Sequence, residues 1–226
     1  MLVRRKHNPT GESRKDLVSK CGTVAGQPLV LRISSLRRLT LGPVSLEVRA
    51  GECVCVSGVS GAGKTILLRA IADLDPYEGT VFLDDVSCAD IRPVQWRSMV
   101  GLLPPESMWW GMRVGDHFPE VNADWLKRMG FTEEVMDRRV EVLSSGERQR
   151  LGLLRLLANQ PRVLLLDEPT ANLDQANISR MELLVEQYRR ERGAAVIWVS
   201  HDPGQIQRVA DRHLGLVGGE LRSQTQ

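Results

Sequence analysis

Apolar and polar residues alternate with period two over residues 29–34 (Leu-Val-Leu-Arg-Ile-Ser) and 44–49 (Val-Ser-Leu-Glu-Val-Arg), which predicts two strands. Gly42-Pro43, just ahead of the second run, reads as a turn, so the chain opens on a β-rich layer. Residues 53–57 (Cys-Val-Cys-Val-Ser) are almost wholly apolar, the mark of a strand covered on both faces. A glycine-rich turn follows, and then a helical pattern over 64–73. Short apolar runs at 79–83 and 100–103 predict further strands, and Pro93 between them suits the first turn of a brief helix. Residues 112–139 turn helical and mixed, with Val114, Phe118, Trp125, Leu126, Met129 and Phe131 as the apolar positions of a small helical insert. A regular alternation then resumes: helix 147–159, strand 163–166, helix 175–191, strand 195–199, a helix from Pro203 and a strand over 213–217. Strands alternating with helices predict an α/β fold with a mainly parallel, covered sheet. No internal repeat or low-complexity segment interrupts it.

At 226 residues and 42% hydrophobic content the chain is long enough for a buried core, and it fits one domain better than two. Its net charge of +2 is not that of a strongly basic nucleic-acid binder, and no nucleic-acid partner is expected. The first twenty residues hold Arg4, Arg5, Lys6, Arg14, Lys15 and Lys20 against Glu12 and Asp16, so the remainder is slightly acidic. With Pro9, Gly11 and no apolar run of signal-peptide length, residues 1–27 read as a flexible basic tail ahead of a domain over 28–226. Nowhere do about 18 apolar residues run together, so the expectation is a soluble or peripheral protein. Cys21, Cys53, Cys55 and Cys88 lack the paired spacing of a zinc site and read as reduced core residues.

Candidate chemistry is concentrated in two places. The first is Gly58-Val59-Ser60-Gly61-Ala62-Gly63-Lys64-Thr65, which fits the pattern glycine, four residues, Gly-Lys-Thr, placed between an apolar strand and a helix. Glycines let successive backbone N–H groups of Gly58, Ser60, Gly61, Ala62, Gly63 and on to Ile66 point at phosphate oxygens, and the helix adds its positive end. Lys64 would reach the β- and γ-phosphates, and the Thr65 hydroxyl would ligate Mg²⁺. The second is Asp167-Glu168, delivered by the apolar run 163–166 to the carboxyl edge of the sheet, where open α/β folds place their ligands. Asp167 would hold Mg²⁺ and Glu168 would take a proton from an attacking water.

Just upstream lies Leu143-Ser144-Ser145-Gly146-Glu147-Arg148-Gln149-Arg150, which resembles the signature of the ATP-binding cassette (ABC) ATPases, usually Leu-Ser-Gly-Gly-Gln. Pro169 and Thr170, then Ala171-Asn172-Leu173-Asp174, then Ser200-His201-Asp202 fall in the family's order, and the resemblance spans about residues 29–222. It implies an ABC-type P-loop fold, with an N-terminal antiparallel layer and a helical subdomain at about 106–160 set against the parallel core. It further implies a head-to-tail dimer sandwiching two ATP molecules with Mg²⁺, in which Ser144, Ser145, Gly146 and Glu147 act on the partner copy's nucleotide. Asp174 would contact the opposite subunit, and His201 would serve as a catalytic switch beside Glu168 and Lys64. A separate integral membrane permease is the implied partner, and the location is cytoplasmic, peripheral on the inner face of the cell membrane. The chain looks most similar to the short ATPases of compact bacterial exporters.

Three departures qualify these expectations. Pro105 stands where the family carries a glutamine, so either Glu106 substitutes or that contact is missing. Ser145 and Glu147 replace a signature glycine and glutamine. Residues 31–47, where the family stacks an aromatic ring on adenine, contain none, which leaves Leu39 or Leu41 to pack on the base. Met108-Trp109-Trp110-Gly111-Met112 lies in the region that faces the membrane subunit in such proteins. Two adjacent tryptophans on a regular strand cannot enter one core, so one is expected near the surface. Two competing readings remain: a soluble ABC ATPase working on a cytosolic assembly such as an iron–sulfur scaffold, and a small-molecule kinase, which has no use for the signature or Asp174.

Overall fold

The computed structural model describes residues 27–120 and 122–224, so the tail assigned to residues 1–27 and Cys21 lie outside the described residues apart from Gln27. β1 (Leu29–Arg38) and β2 (Leu41–Arg49) form an antiparallel hairpin that buries Leu31, Ile33 and Leu36 with Val44, Leu46 and Val48. The reversal falls at Leu39-Thr40 rather than at Gly42-Pro43, which belong to β2. Gly42 instead takes φ +105°, and a Cβ there would meet Arg37 Cγ at 2.8 Å, so the glycine serves close packing of the hairpin.

The remaining elements follow in order: β3 (Cys53–Ser57), α1 (Lys64–Ile71), β4 (Glu78–Leu83), β5 (Val86–Ser87), α2 (Pro93–Met99), β6 (Val100–Leu103), α3 (Ala123–Arg128), α4 (Ser145–Ala158), β7 (Val163–Asp167), α5 (Gln175–Arg192), β8 (Ala195–Val199), α6 (Pro203–Val209), β9 (Arg212–Val217) and β10 (Glu220–Ser223). β1, β2, β4 and β5 make an antiparallel sheet in the order β2-β1-β4-β5. The second sheet runs β10-β9-β3-β8-β7-β6, parallel throughout except for β10.

The all-apolar strands are explained by burial on both faces. Val54 and Val56 of β3, Val163 and Leu165 of β7, and Ala195, Ile197 and Val199 of β8 enter the core shared with the antiparallel layer and α1. Their alternates, Cys53 and Cys55, Leu164 and Leu166, and Val196 and Trp198, pack on the opposite face with α4 and α5. The neighbouring Cys55 thiol, together with burial, pushes the Cys53 thiol well above its ordinary pKa, which suits a protonated core residue.

Between β6 and β7 the insert is less helical than its pattern suggests. It holds the six-residue α3 and three short 3₁₀ turns, Val114–His117, Glu133–Asp137 and Val140–Val142, before α4. No helix among the described residues is long and apolar enough to cross a membrane.

Candidate nucleotide-binding site

β3 and β7 flank β8 and run parallel to it, so their carboxyl ends lie on one edge of the sheet. β3 opens into the glycine-rich loop and β7 into Asp167-Glu168, which brings the two candidate clusters together. Gly63 caps α1 at φ +102°, and a Cβ there would meet Leu41 Cδ2 at 2.8 Å, so this position needs glycine for both conformation and space.

Lys64 lies buried over the loop, its Nζ donating to the carbonyl oxygens of Gly58 at 2.7 Å and Val59 at 3.1 Å. The Thr65 hydroxyl donates to Asp167 Oδ2 at 2.7 Å, although the two residues are 102 positions apart. Asp167 is only 3% exposed, and this burial raises its pKa; the Thr65 bond and the Lys64 charge oppose the rise, while Glu168 adds to it. A hydroxyl and a desolvated carboxylate oxygen are hard donors that suit Mg²⁺, which is usually held by one or two protein groups with substrate phosphates completing the shell. No group of three or more His, Cys, Asp or Glu that could hold a metal occurs among the described residues.

Glu168 adopts φ +46°, an uncommon conformation for a non-glycine residue, and its N–H donates to Val199 O at 3.1 Å. This aims its carboxylate past the end of β8, where His201 Nδ1 lies 3.3 Å from Glu168 Oε2. Ser200 N–H reaches Val56 O at 3.3 Å and ties that end of β8 to β3. The structure therefore brings Lys64, Thr65, Asp167, Glu168 and His201 to one edge.

The signature occupies the start of α4. Ser144 Oγ accepts from Glu147 N–H at 3.2 Å while Glu147 Oε2 accepts from Ser144 N–H at 2.8 Å, a reciprocal cap on the helix. Ser144 and Ser145 are exposed, and Gly146 packs so closely that a Cβ would stand 3.0 Å from Leu173 Cδ2. Asp174 caps α5, accepting from Asn177 N–H at 2.9 Å, and this backbone bond helps hold its carboxyl below the usual range.

Among the residues weighed for the base, Leu41 is 3% exposed and committed to the core beside Gly63, whereas Leu39 is 80% exposed. Pro105 and Glu106 are exposed. The turn they belong to is fastened instead by Gln149 of α4, which donates to Pro104 O at 3.0 Å and lies 3.3 Å from Ser107 Oγ. Trp109 is half-buried and Trp110 is 77% exposed, as the adjacency of the two rings predicts. His117, not singled out in the sequence, accepts at Nε2 from the N–H groups of Trp110 (3.0 Å) and Gly111 (2.8 Å), with Nδ1 on Arg113 O at 3.1 Å. Its two ring contacts and the Arg155 guanidinium over both indoles fix this loop.

The ABC transporter family model matches residues 41–171, more than half of the chain and inclusive of the phosphate loop, signature and acid pair. The chain belongs to the ATP-binding cassette transporter family. It is an ATPase of that family's P-loop type. The probable iron export ATP-binding protein FetA of Escherichia coli is 32% identical over 179 residues, covering 74% of this chain and 80% of FetA. The phosphate import ATP-binding protein PstB of Aeropyrum pernix is 33% identical over 207 residues, covering 79% and 81%. Among solved structures, a dimeric ATP-binding cassette in a post-hydrolysis state with ADP and phosphate superposes with a TM-score of 0.75 at 23% identity, over 86% of this chain and 98% of that one. That likeness carries the fold alone.

Proposed function

We propose that the chain powers a transporter whose membrane-spanning part is a separate permease, working as a head-to-tail dimer that closes over two ATP molecules with Mg²⁺ and reopens on hydrolysis. The observation that carries this reading is the division of the site. Phosphate loop, Thr65, Asp167, Glu168 and His201 share one sheet edge, whereas Ser144, exposed, and Gly146, half-buried, stand at the start of another helix. A second copy is what would bring that helix end to the γ-phosphate.

The loop amides from Ser60 to Ile66 would hold the phosphates, and Lys64 would exchange the Gly58 and Val59 carbonyls for phosphate oxygens. Mg²⁺, held by Thr65 and Asp167, would supply charge neutralisation on the phosphates. Glu168 is the residue that accepts the proton of the attacking water, and His201, in contact with it, orients carboxylate and γ-phosphate. Asp174 lies in the turn assigned to the subunit contact. Met108, Trp110 and Met112 are exposed together and form the face assigned to the permease, on the cytoplasmic side of the membrane. The division of the chain into a tail and a single ATPase domain, with a helical subdomain at about 106–160, belongs to the same reading.

Glu168→Gln tests it. Turnover should fall by about 10²–10⁴-fold, with an ATP-dependent dimer trapped on size exclusion and a membrane protein co-purifying from native membranes. A monomer with unaltered turnover refutes the role of Glu168, and co-purification with a soluble assembly in place of a membrane protein refutes the transport reading.

A further inference from the structure

Glu147 introduces a charge where the proposed cradle for the partner's γ-phosphate can least accommodate one. It follows Gly146 directly, at the third position of α4. Burial pushes its carboxyl up, but the Ser144 N–H and the Arg138 guanidinium outweigh that and hold it below the usual glutamate range. The first turn of the signature helix therefore carries a full negative charge at neutral pH. A triphosphate docking on the same turn meets it as a like charge, and the positive helix end is already partly engaged by the carboxylate.

Arg138 meets this charge from outside the helix. Its Nη1 donates to Glu147 Oε1 at 2.8 Å, while Glu147 Oε2 stays on Ser144 N–H at 2.8 Å. Its backbone is fixed independently, since Arg138 O accepts from Val114 N–H at 3.0 Å. One oxygen is thus neutralised and the other keeps the helix cap, and the Arg138 side chain is 41% exposed.

We propose that Arg138 is a positioning residue for the trans signature: it cancels the charge of Glu147 and pins that carboxylate to the cap, leaving Ser144 and Gly146 free to take the γ-phosphate of a second copy. The proposal rests on the dimer reading above. In the full chain carrying Glu168→Gln, the ATP concentration for half-maximal dimer, read by light scattering after size exclusion with Mg²⁺, should rise on the order of tenfold on adding Arg138→Ala. Adding Glu147→Gln to that variant should return it to within about threefold of the parent, because glutamine keeps the acceptor for Ser144 N–H without the charge. Arg138→Lys should sit between. Binding of a fluorescent ATP analogue to the monomer, which uses the phosphate loop alone, should not change.

An unchanged midpoint for Arg138→Ala overturns the proposal. So does a loss that Glu147→Gln fails to restore, which would make Arg138 a purely structural contact. Failure of the Glu168→Gln parent to dimerise removes the dimer reading and this inference with it, and is recognised before any Arg138 variant is compared.

Discussion

Thr65→Val isolates one bond at the centre of the site. Valine has nearly the shape of threonine, and Thr65 is exposed, so its extra methyl gains little from burial. What is lost is the 2.7 Å hydrogen bond to a carboxylate that is 3% exposed. Bonds to charged groups contribute about 1.5–3 kcal/mol, and the orphaned carboxylate cannot turn to bulk water, so a loss of about 2 kcal/mol is expected. For a chain of this size that corresponds to a melting shift of about 4–8 °C. The pH dependence follows from the same group. Burial already raises the folded-state pKa of Asp167 above its unfolded value, so the folded state binds the extra proton between the two pKa values and stability falls as pH rises through that interval. Removing Thr65 takes away an interaction that opposes the rise, so the interval widens upward. The destabilisation should therefore be larger at a pH above this interval, where the orphaned carboxylate is ionised, than at a pH below it, where protonation relieves it. Urea unfolding without nucleotide or Mg²⁺ at both pH values measures it, with Thr65→Ser as a control that keeps the donor. Coincident midpoints for Thr65→Val and the parent at the higher pH would refute the assignment of this bond.

Gly63→Val places a β-branched residue at φ +102° against Leu41; it should cost about 1–3 kcal/mol and abolish binding of a fluorescent ATP analogue, and normal binding would show that the loop does not need its present shape. Trp110→Ala removes a mostly exposed ring that still touches His117 and Arg155, so stability should fall by about 1–2 kcal/mol while retention on native membranes in sedimentation drops; equal retention would remove Trp110 from the docking face.

How far the sequence reveals this fold depends on where burial is two-sided. β3, β6 and β8 are legible as short all-apolar runs because α1 and the antiparallel layer cover one face and α4 and α5 the other. β5 and β10 are not, since two and four residues are too few for alternation to show. Their hairpins do carry a signal in the turns: Asp84-Asp85, with φ of 47° and 66°, and Gly218-Gly219 are residue pairs suited to two-residue turns with positive φ. The turn placed at Gly42-Pro43 misled because glycine and proline usually mark reversals, whereas here Leu39 accepts φ +52° and Gly42 is needed for close packing.

The site divides along a related line. The phosphate loop, acid pair and signature are each contiguous, and their chemistry resides in backbone amides and neighbouring side chains, so order along the chain exposes them. The fastening of the Trp110 loop is spread over α4 and has no apolar signature. Gln149, Gly152 and Arg155 recur every third residue and form one stripe of the helix. Gln149 holds Pro104, the bare face of Gly152 admits Ser107, and Arg155 donates to Met108 O at 2.9 Å while stacking over both tryptophans. An amide, a glycine and a guanidinium share no hydrophobic period, so no pattern in the sequence marks them as one face. Their alignment has a mechanical consequence. The helix whose first turn carries Ser144, Gly146 and Glu147 is the same rigid body, 14 residues long and about 21 Å at 1.5 Å per residue, that grips the loop presenting Trp110. Displacing that loop without moving the signature therefore requires breaking the Gln149 and Arg155 contacts.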